Sequence, residues 1–226
     1  MRVAVLFSGG KDSCFACYKA MKEHEVVCLI TMISKNPESY MFHTPNIHLT
    51  KVQSKAIGLP LVTFDTEGKK EEELKDLRKA MEQAKEKYKI EGIVTGAVQS
   101  TYQMTRIQRL CDGLGLKCFN PLWQINQKEY LKELLSSGFR AIISAVFSYP
   151  FDESWLGRPI DEKTIAELTK LSEQFGITLA GEGGEFESLV LDGPIFKKRI
   201  EIVKASKEYK NYSGIYKIKD VRLVEK

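Results

Sequence analysis

The sequence predicts an α/β protein: a parallel sheet covered by helices on both faces, followed by a smaller α+β region. Two observations predict it. Through the first half, runs that are apolar throughout alternate with helical patterns, and strands without a polar face belong to a sheet buried on both sides. From 188 on, the pattern turns to short alternating strands, such as Ile200-Glu201-Ile202-Val203 and Ile215-Tyr216-Lys217-Ile218.

In order, residues 2–7 read as a strand, 12–24 as a helix, and 26–33 (Val-Val-Cys-Leu-Ile-Thr-Met-Ile) as the next strand. A helix near 46–57 precedes a strand at 60–64. Residues 69–90 form a long charged helix with i,i+4 spacing of opposite charges. A strand at 92–95 and a helix near 100–114 follow. Pro121-Leu122-Trp123 interrupts the pattern, which places a boundary between residues 1–123 and 124–226. Beyond it come a helix near 126–137, a strand at 139–147 and a helix at 161–175. No internal repeat or low-complexity tract is visible.

With 226 residues there is room for one main domain and a smaller one. Hydrophobic residues make up 43% and charged residues 28%, the balance of a globular protein. No apolar run approaches the ~18 residues of a membrane span. The opening run Val3-Ala4-Val5-Leu6-Phe7 is too short for a signal peptide, so a cytoplasmic protein without membrane partners is expected. Cys14, Cys17, Cys28, Cys111 and Cys118 are odd in number, against a disulfide framework. His24, His43 and His48 have no metal-ligand spacing. A net charge of +4 is no nucleic-acid signature. Residues 195–226 nevertheless hold ten Lys/Arg against four Asp/Glu. That excess is either a solvated face or a docking surface for an acidic or RNA-containing partner.

The chemistry centres on Ser8-Gly9-Gly10-Lys11-Asp12-Ser13, between the first strand and the first helix. Glycine lets the backbone turn sharply and approach a ligand. A helix start offers N–H groups and a positive dipole end to phosphate. Ser8 and Ser13 add hydroxyls and Lys11 a positive charge. A Walker A loop would need glycine at Val5 and Ser or Thr at Asp12, so this is another kind of phosphate loop. An acid inside it calls for a counter-charge, which assigns Asp12 to Mg²⁺ or to orienting the loop. The plain structural alternative is a Gly-Gly turn with Asp12 as helix N-cap.

The pattern Ser-Gly-Gly-x-Asp-Ser resembles the signature of the PP-loop, or N-type, ATP pyrophosphatases. The resemblance implies a HUP-type sheet of order 3-2-1-4-5 and cleavage of ATP between its α and β phosphates. It places the ligand at the switch between strands one and four. Gly96 and Ala97 after strand four, and Met32 near the end of strand two, would then line the adenosine. An ordinary strand-to-helix turn is the other explanation of Gly96.

Three further segments narrow the resemblance: residues 39–44 (Ser-Tyr-Met-Phe-His-Thr), Gly96 to Gln103 running on through Arg106 and Cys111 to Trp123, and Gly181-Glu182-Gly183-Gly184-Glu185-Phe186-Glu187-Ser188 with Asp192-Gly193-Pro194 beyond. Together these resemble the diphthine–ammonia ligases, which complete diphthamide on translation elongation factor 2. Gln108 stands where that family commonly has Glu, and Phe186 and Ser188 where eukaryotic relatives have Tyr and Thr. The resemblance implies an ATP-binding domain over 1–123, a substrate-binding domain over 124–226, and ATP, Mg²⁺ and ammonia as participants. Nucleic acid is not required, and a homo-oligomer remains open. An N-terminal cysteine nucleophile is absent, so ammonia is expected from solution.

Diphthine carries a trimethylammonium group and a carboxylate, and acids with aromatic faces suit such a cation. The implied substrate set is Tyr102, Gln103, Arg106, Trp123, Glu182, Gly183, Gly184, Glu185, Glu187 and Ser188, with Lys11, Asp12 and Glu185 as catalytic candidates. A Gly-Gly hairpin with exposed acids is the bland alternative. Two rival functions stay in view: an RNA-thiolating PP-loop enzyme, to which Cys14-x-x-Cys17 would belong, and an ATP-binding HUP protein without catalysis.

Overall fold

The computed structural model describes residues 1–36, 45–69 and 71–226. Residues 39–44, quoted above for the family resemblance, lie outside them. The chain divides into two compact units, Met1–Gln124 and Ile125–Lys226.

The first unit runs β1 (Arg2–Leu6), α1 (Lys11–Met21), β2 (Glu25–Ser34), a short 3-10 turn (Ile47–Leu49), α2 (Thr50–Ile57), β3 (Leu61–Thr66), α3 (Glu72–Tyr88), β4 (Gly92–Val94), α4 (Thr101–Leu114) and β5 (Lys117–Phe119). The strands form one sheet in the order β3-β2-β1-β4-β5, every pair parallel. This is the order that the resemblance implied. Ala4, Cys28, Ile30, Met32 and Ile93 from the strands pack against Leu77, Met81, Ile107 and Cys111 from α3 and α4 in one buried cluster.

Strand lengths shape the sheet's carboxyl edge. β1 pairs with β2 only as far as Leu6 and Ile30, whereas β2 runs on beside β3 to Ser34. The Phe7 N–H still reaches the Ile30 carbonyl at 2.7 Å, and the buried Thr31 hydroxyl donates to the Phe7 carbonyl at 2.6 Å. The chain then leaves the sheet at Ser8. Beyond that point β2 stands taller than β1, and α1 and α4 begin on either side of the switch between β1 and β4. Such a crevice is where open α/β sheets bind ligands.

The second unit holds α5 (Gln127–Ser136), β6 (Arg140–Val146), α6 (Glu162–Phe175), β7 (Phe186–Asp192), β8 (Lys198–Lys210) and β9 (Ser213–Glu225). Its sheet, in the order β7-β6-β9-β8, is antiparallel. The short strands expected after 188 are here two strands of 13 residues each, paired as a long ribbon. Asn211 and Tyr212, at φ of 50° and 59°, close it in the two-residue turn whose twist matches a hairpin. Among the described residues, no helix is long and apolar enough to cross a membrane.

Candidate functional site

The loop after β1 folds around its own serines. The Ser13 hydroxyl donates to the Gly10 carbonyl at 3.1 Å, accepts the Ser8 N–H at 3.3 Å and lies 3.2 Å from the Ser8 hydroxyl. The Gly10 N–H in turn reaches Ser8 Oγ at 3.4 Å. α1 starts at Lys11, and its cap position, Gly10, offers no side-chain cap. Asp12 therefore sits inside the first helical turn and is not the N-cap of the plain structural alternative. A first turn without a side-chain cap suits a bound anion.

Lys11 is turned inward, its side chain only 3% exposed, with its ammonium 3.0 Å from Asp12 Oδ2. Burying a lone ammonium is costly, and the neighbouring carboxylate offsets that cost. Asp12 keeps 28% of its side chain in solvent, so it can also face a ligand. One carboxylate in a phosphate loop fits Mg²⁺, which usually takes one or two protein carboxylates and fills its shell with phosphate oxygens and water.

Two contacts that the sequence did not reveal hold this loop. Gln53 of α2, fully buried, donates from Nε2 to the Gly9 carbonyl at 2.9 Å. Its side chain fills the space where a Cβ on Gly9 would stand. Gly96 lies against the start of α1: a Cβ there would be 2.8 Å from the Asp12 carbonyl carbon and 2.8 Å from the Ser13 nitrogen. The sequence suggested that Gly96 approaches a nucleotide, but the close approach found is to the backbone of the phosphate loop itself.

Met32 gives its side chain to the core, at 5% exposure. For an adenosine it offers only backbone, on the stretch of β2 that outlasts β1. Ala97 is held by its N–H on the Thr95 hydroxyl at 3.2 Å, and that hydroxyl is 2.5 Å from Asn120 Oδ1. The Gln124 N–H bonds the Val98 carbonyl at 2.8 Å and the Trp123 N–H bonds the Asn120 carbonyl at 3.1 Å. The half-buried Trp123 is thus pinned beside the loop that follows β4.

On α4, Gln103 donates its N–H to the capping hydroxyl of Ser100 at 3.3 Å. Arg106 lies flat over Tyr102, 3.6 Å from the ring centroid, and its guanidinium reaches Glu71 Oε1 at 2.7 Å and 3.2 Å. Glu71 holds the Arg106 guanidinium above its already high ordinary value. Arg106 is therefore committed to a stacked ion pair, which the sequence did not foresee.

In the second unit, the Glu-Gly-Gly-Glu segment wraps around one of its own carboxylates. Glu185, 9% exposed, accepts the Thr178 N–H at 2.7 Å, the Thr178 hydroxyl at 2.8 Å and the Gly183 N–H at 2.9 Å. Gly183 makes room for it, since a Cβ there would stand 2.6 Å from Glu185 Oε1, and Gly184 turns the chain at φ +79°. The Ala180 N–H ties the same loop to Gln127 Oε1 at 2.8 Å. This differs from the expectation for Glu185: both oxygens are engaged in organising the loop, which argues against direct chemistry or cation contact. It is not the hairpin with exposed acids either. Phe186 is buried, its ring centroid 5.7 Å from that of Phe151. Ser188 is buried in β7, Glu187 is half-buried opposite Ala145, and Glu182 is half-buried at the turn.

Cys14 and Cys17 are fully buried in α1. Burial pushes the Cys17 thiol up to about 12 and raises Cys14 well above its ordinary value, so neither is a thiolate at neutral pH.

Comparison with known proteins follows the same division of the chain. Residues 1–118 match the model of the diphthamide synthase N-terminal domain, and residues 126–224 that of its C-terminal domain. A diphthine–ammonia ligase of Bos taurus is 37% identical over 220 residues, covering 88% of this chain and 82% of the relative. The protein of that name from Homo sapiens is 35% identical over the same shares, and that of Saccharomyces cerevisiae 32% identical over 91% of this chain and 36% of its own length. A solved structure described as a predicted subunit of tRNA methyltransferase, from Methanocaldococcus jannaschii, covers 86% of this chain and 98% of that one at 20% identity and a TM-score of 0.45. The chain belongs to the diphthamide synthase family.

Proposed function

We propose that this chain is an AMP-forming ligase that converts diphthine on translation elongation factor 2 to diphthamide with ATP and ammonia. The observation that carries the reading is the match of both units to one family, whose named relatives are diphthine–ammonia ligases, in a chain whose first strand ends in a phosphate loop.

ATP lies with its phosphates on Ser8, Gly9, Gly10, Lys11, Asp12 and Ser13, and its adenosine along the backbone of Met32, Gly96 and Ala97. The diphthine carboxylate attacks the α-phosphorus, the bond to the β-phosphate oxygen breaks, and pyrophosphate leaves. Lys11 and the amides of the first helical turn stabilise the charge that develops on the leaving group. Mg²⁺ held by Asp12 would neutralise further phosphate charge. Ammonia then attacks the acyl carbon of the mixed anhydride, AMP departs, and a proton passes to solvent. Most of the acceleration comes from positioning and from excluding water.

Tyr102, Gln103 and Trp123 of the first unit, and Glu182 and Glu187 of the second, are assigned to the protein substrate; Arg106, stacked on Tyr102 and paired with Glu71, enters as the residue that holds that ring, and the buried Ser188 as support for β7. Glu185, Gly183 and Gly184 enter as positioning residues that fix the loop bearing Glu182. Buried, protonated Cys14 and Cys17 leave the thiolating alternative without an exposed nucleophile in that motif. Incubation with ATP, ammonium and diphthine-bearing elongation factor, read by mass spectrometry of the modified histidine, tests the proposal. Conversion of carboxylate to amide is expected, and an unmodified factor under saturating ATP and ammonium contradicts it.

A further inference from the structure

The second unit carries an aromatic cluster that its own fold leaves in water. The Tyr149 ring lies 5.2 Å from Phe175 and 5.1 Å from Tyr212, meeting them edge-on at 85° and 83°. The three residues are 56%, 45% and 46% exposed. They come from the segment after β6, the last residue of α6 and the turn of the β8–β9 ribbon. Single exposed apolar residues need no explanation, whereas a contiguous rimmed patch marks an interaction site. Two residues before Tyr149, the Phe147 N–H bonds the Glu185 carbonyl at 2.9 Å, so this segment is continuous with the Glu-Gly-Gly-Glu loop.

The ribbon that carries Tyr212 is basic. Lys210 stands at the end of β8, two residues before Tyr212, and among the described residues Lys204, Lys210 and Lys219 along the ribbon are exposed and make no ion pair. Exposed rings at the tip of a ribbon with unneutralised lysines complement an acidic protein surface that offers an apolar side chain.

We infer that Tyr149, Phe175 and Tyr212, with Lys210 at their edge, form the surface on which the diphthine-bearing protein substrate docks through an acidic patch. The inference rests on the function proposed above. RNA fits less well. The ribbon's two arginines, Arg199 and Arg222, are both spent on Glu201, and rings packed edge-on give no stacking platform for bases. A second copy of the chain fits less well too, because a two-fold contact would set the lysine-bearing tips against each other.

Steady-state amide formation by the full chain, with the protein substrate varied, tests this. Tyr149→Ala and Tyr212→Ala remove exposed rings and are expected to raise KM for the protein substrate about tenfold, the scale of an interface anchor. Lys210→Glu should raise KM and weaken its salt dependence. The kcat at saturation and the half-saturating ATP concentration should stay within about twofold in all three. An unchanged KM in the aromatic variants and in Lys210→Glu overturns the inference. So does a wild-type self-association that the same variants abolish, or an RNA oligomer whose binding they abolish while KM holds. Should the wild-type chain form no amide, the proposed function fails separately; docking is then read by calorimetric binding of the same protein, and equal affinity for wild type and Tyr149→Ala overturns it.

Discussion

Gln53 Nε2 donates to the Gly9 carbonyl oxygen over 2.9 Å, from a helix 44 residues further along the chain. Gly9 holds φ at +80°, and a Cβ there would fall 2.0 Å from Gln53 Oε1. The glycine admits the amide, and the amide fixes the turn that faces the phosphates. Gln53→Ala leaves a buried carbonyl without its donor, at a cost of about 1–3 kcal/mol. We expect roughly tenfold weaker ATP binding by calorimetry, and a greater loss for Gly9→Ala, which adds backbone strain. Wild-type ATP affinity in Gln53→Ala would remove this residue from the site.

Gly96→Ala forces a methyl against the backbone of Asp12 and Ser13, where no flexible side chain can yield. Overpacking of this kind costs about 1–3 kcal/mol. The urea midpoint should fall and ATP binding weaken together, because the displaced atoms belong to the phosphate loop. An unchanged urea midpoint and unchanged ATP affinity would mean that the phosphate loop does not need the space that Gly96 leaves.

Glu185→Gln supplies one acceptor oxygen and one amide where Thr178 and Gly183 require two acceptors. The loop should loosen, with faster hydrogen exchange at the Gly183 and Thr178 amides. Use of the protein substrate should fall severalfold while ATP binding holds, as a positioning role requires. Protected amides alongside abolished turnover would return Glu185 to the chemistry.

Burial lifts the Cys17 thiol from an ordinary 9.0 to about 12, and burial likewise lifts Cys28 to about 12. Below pH 9 the folded and unfolded chains both keep these protons, and stability is full. Above it the unfolded chain releases protons that the native state retains, so stability declines as pH climbs towards 12. Urea midpoints measured at about pH 8 and about pH 10.5 should drop less in Cys17→Ala than in wild type. Equal drops would mean that the Cys17 thiol is not held protonated by the fold.

The parallel sheet was legible because its strands are apolar on both faces, and Ser8 to Ser13 because glycines, hydroxyls and a cation sit together in sequence. β5, three residues long, leaves too short a run to stand out. The ribbon of β8 and β9 reads as short strands because few of its residues are buried and its register shifts near Lys204, which breaks a period of two. Contacts between distant segments were hidden. Nothing near Gly9 names Gln53, although a glutamine at the buried spacing of Thr50, Ser54 and Ile57 is the kind of polar intruder that signals a structural bond. Arg106 reads as an available cation in the sequence, whereas in the fold Glu71 and Tyr102 engage it. The Gly-Gly pair looked made for a ligand, and Gly183 instead houses the Glu185 carboxylate.

The central claim is that ATP bound on the loop after β1 is cut between its α and β phosphates to activate a carboxylate. Nucleotide products resolved by chromatography during turnover, with ammonium and the diphthine-bearing factor present, test it most directly. The account predicts one AMP and one pyrophosphate per amide formed; ADP and phosphate in their place would contradict it.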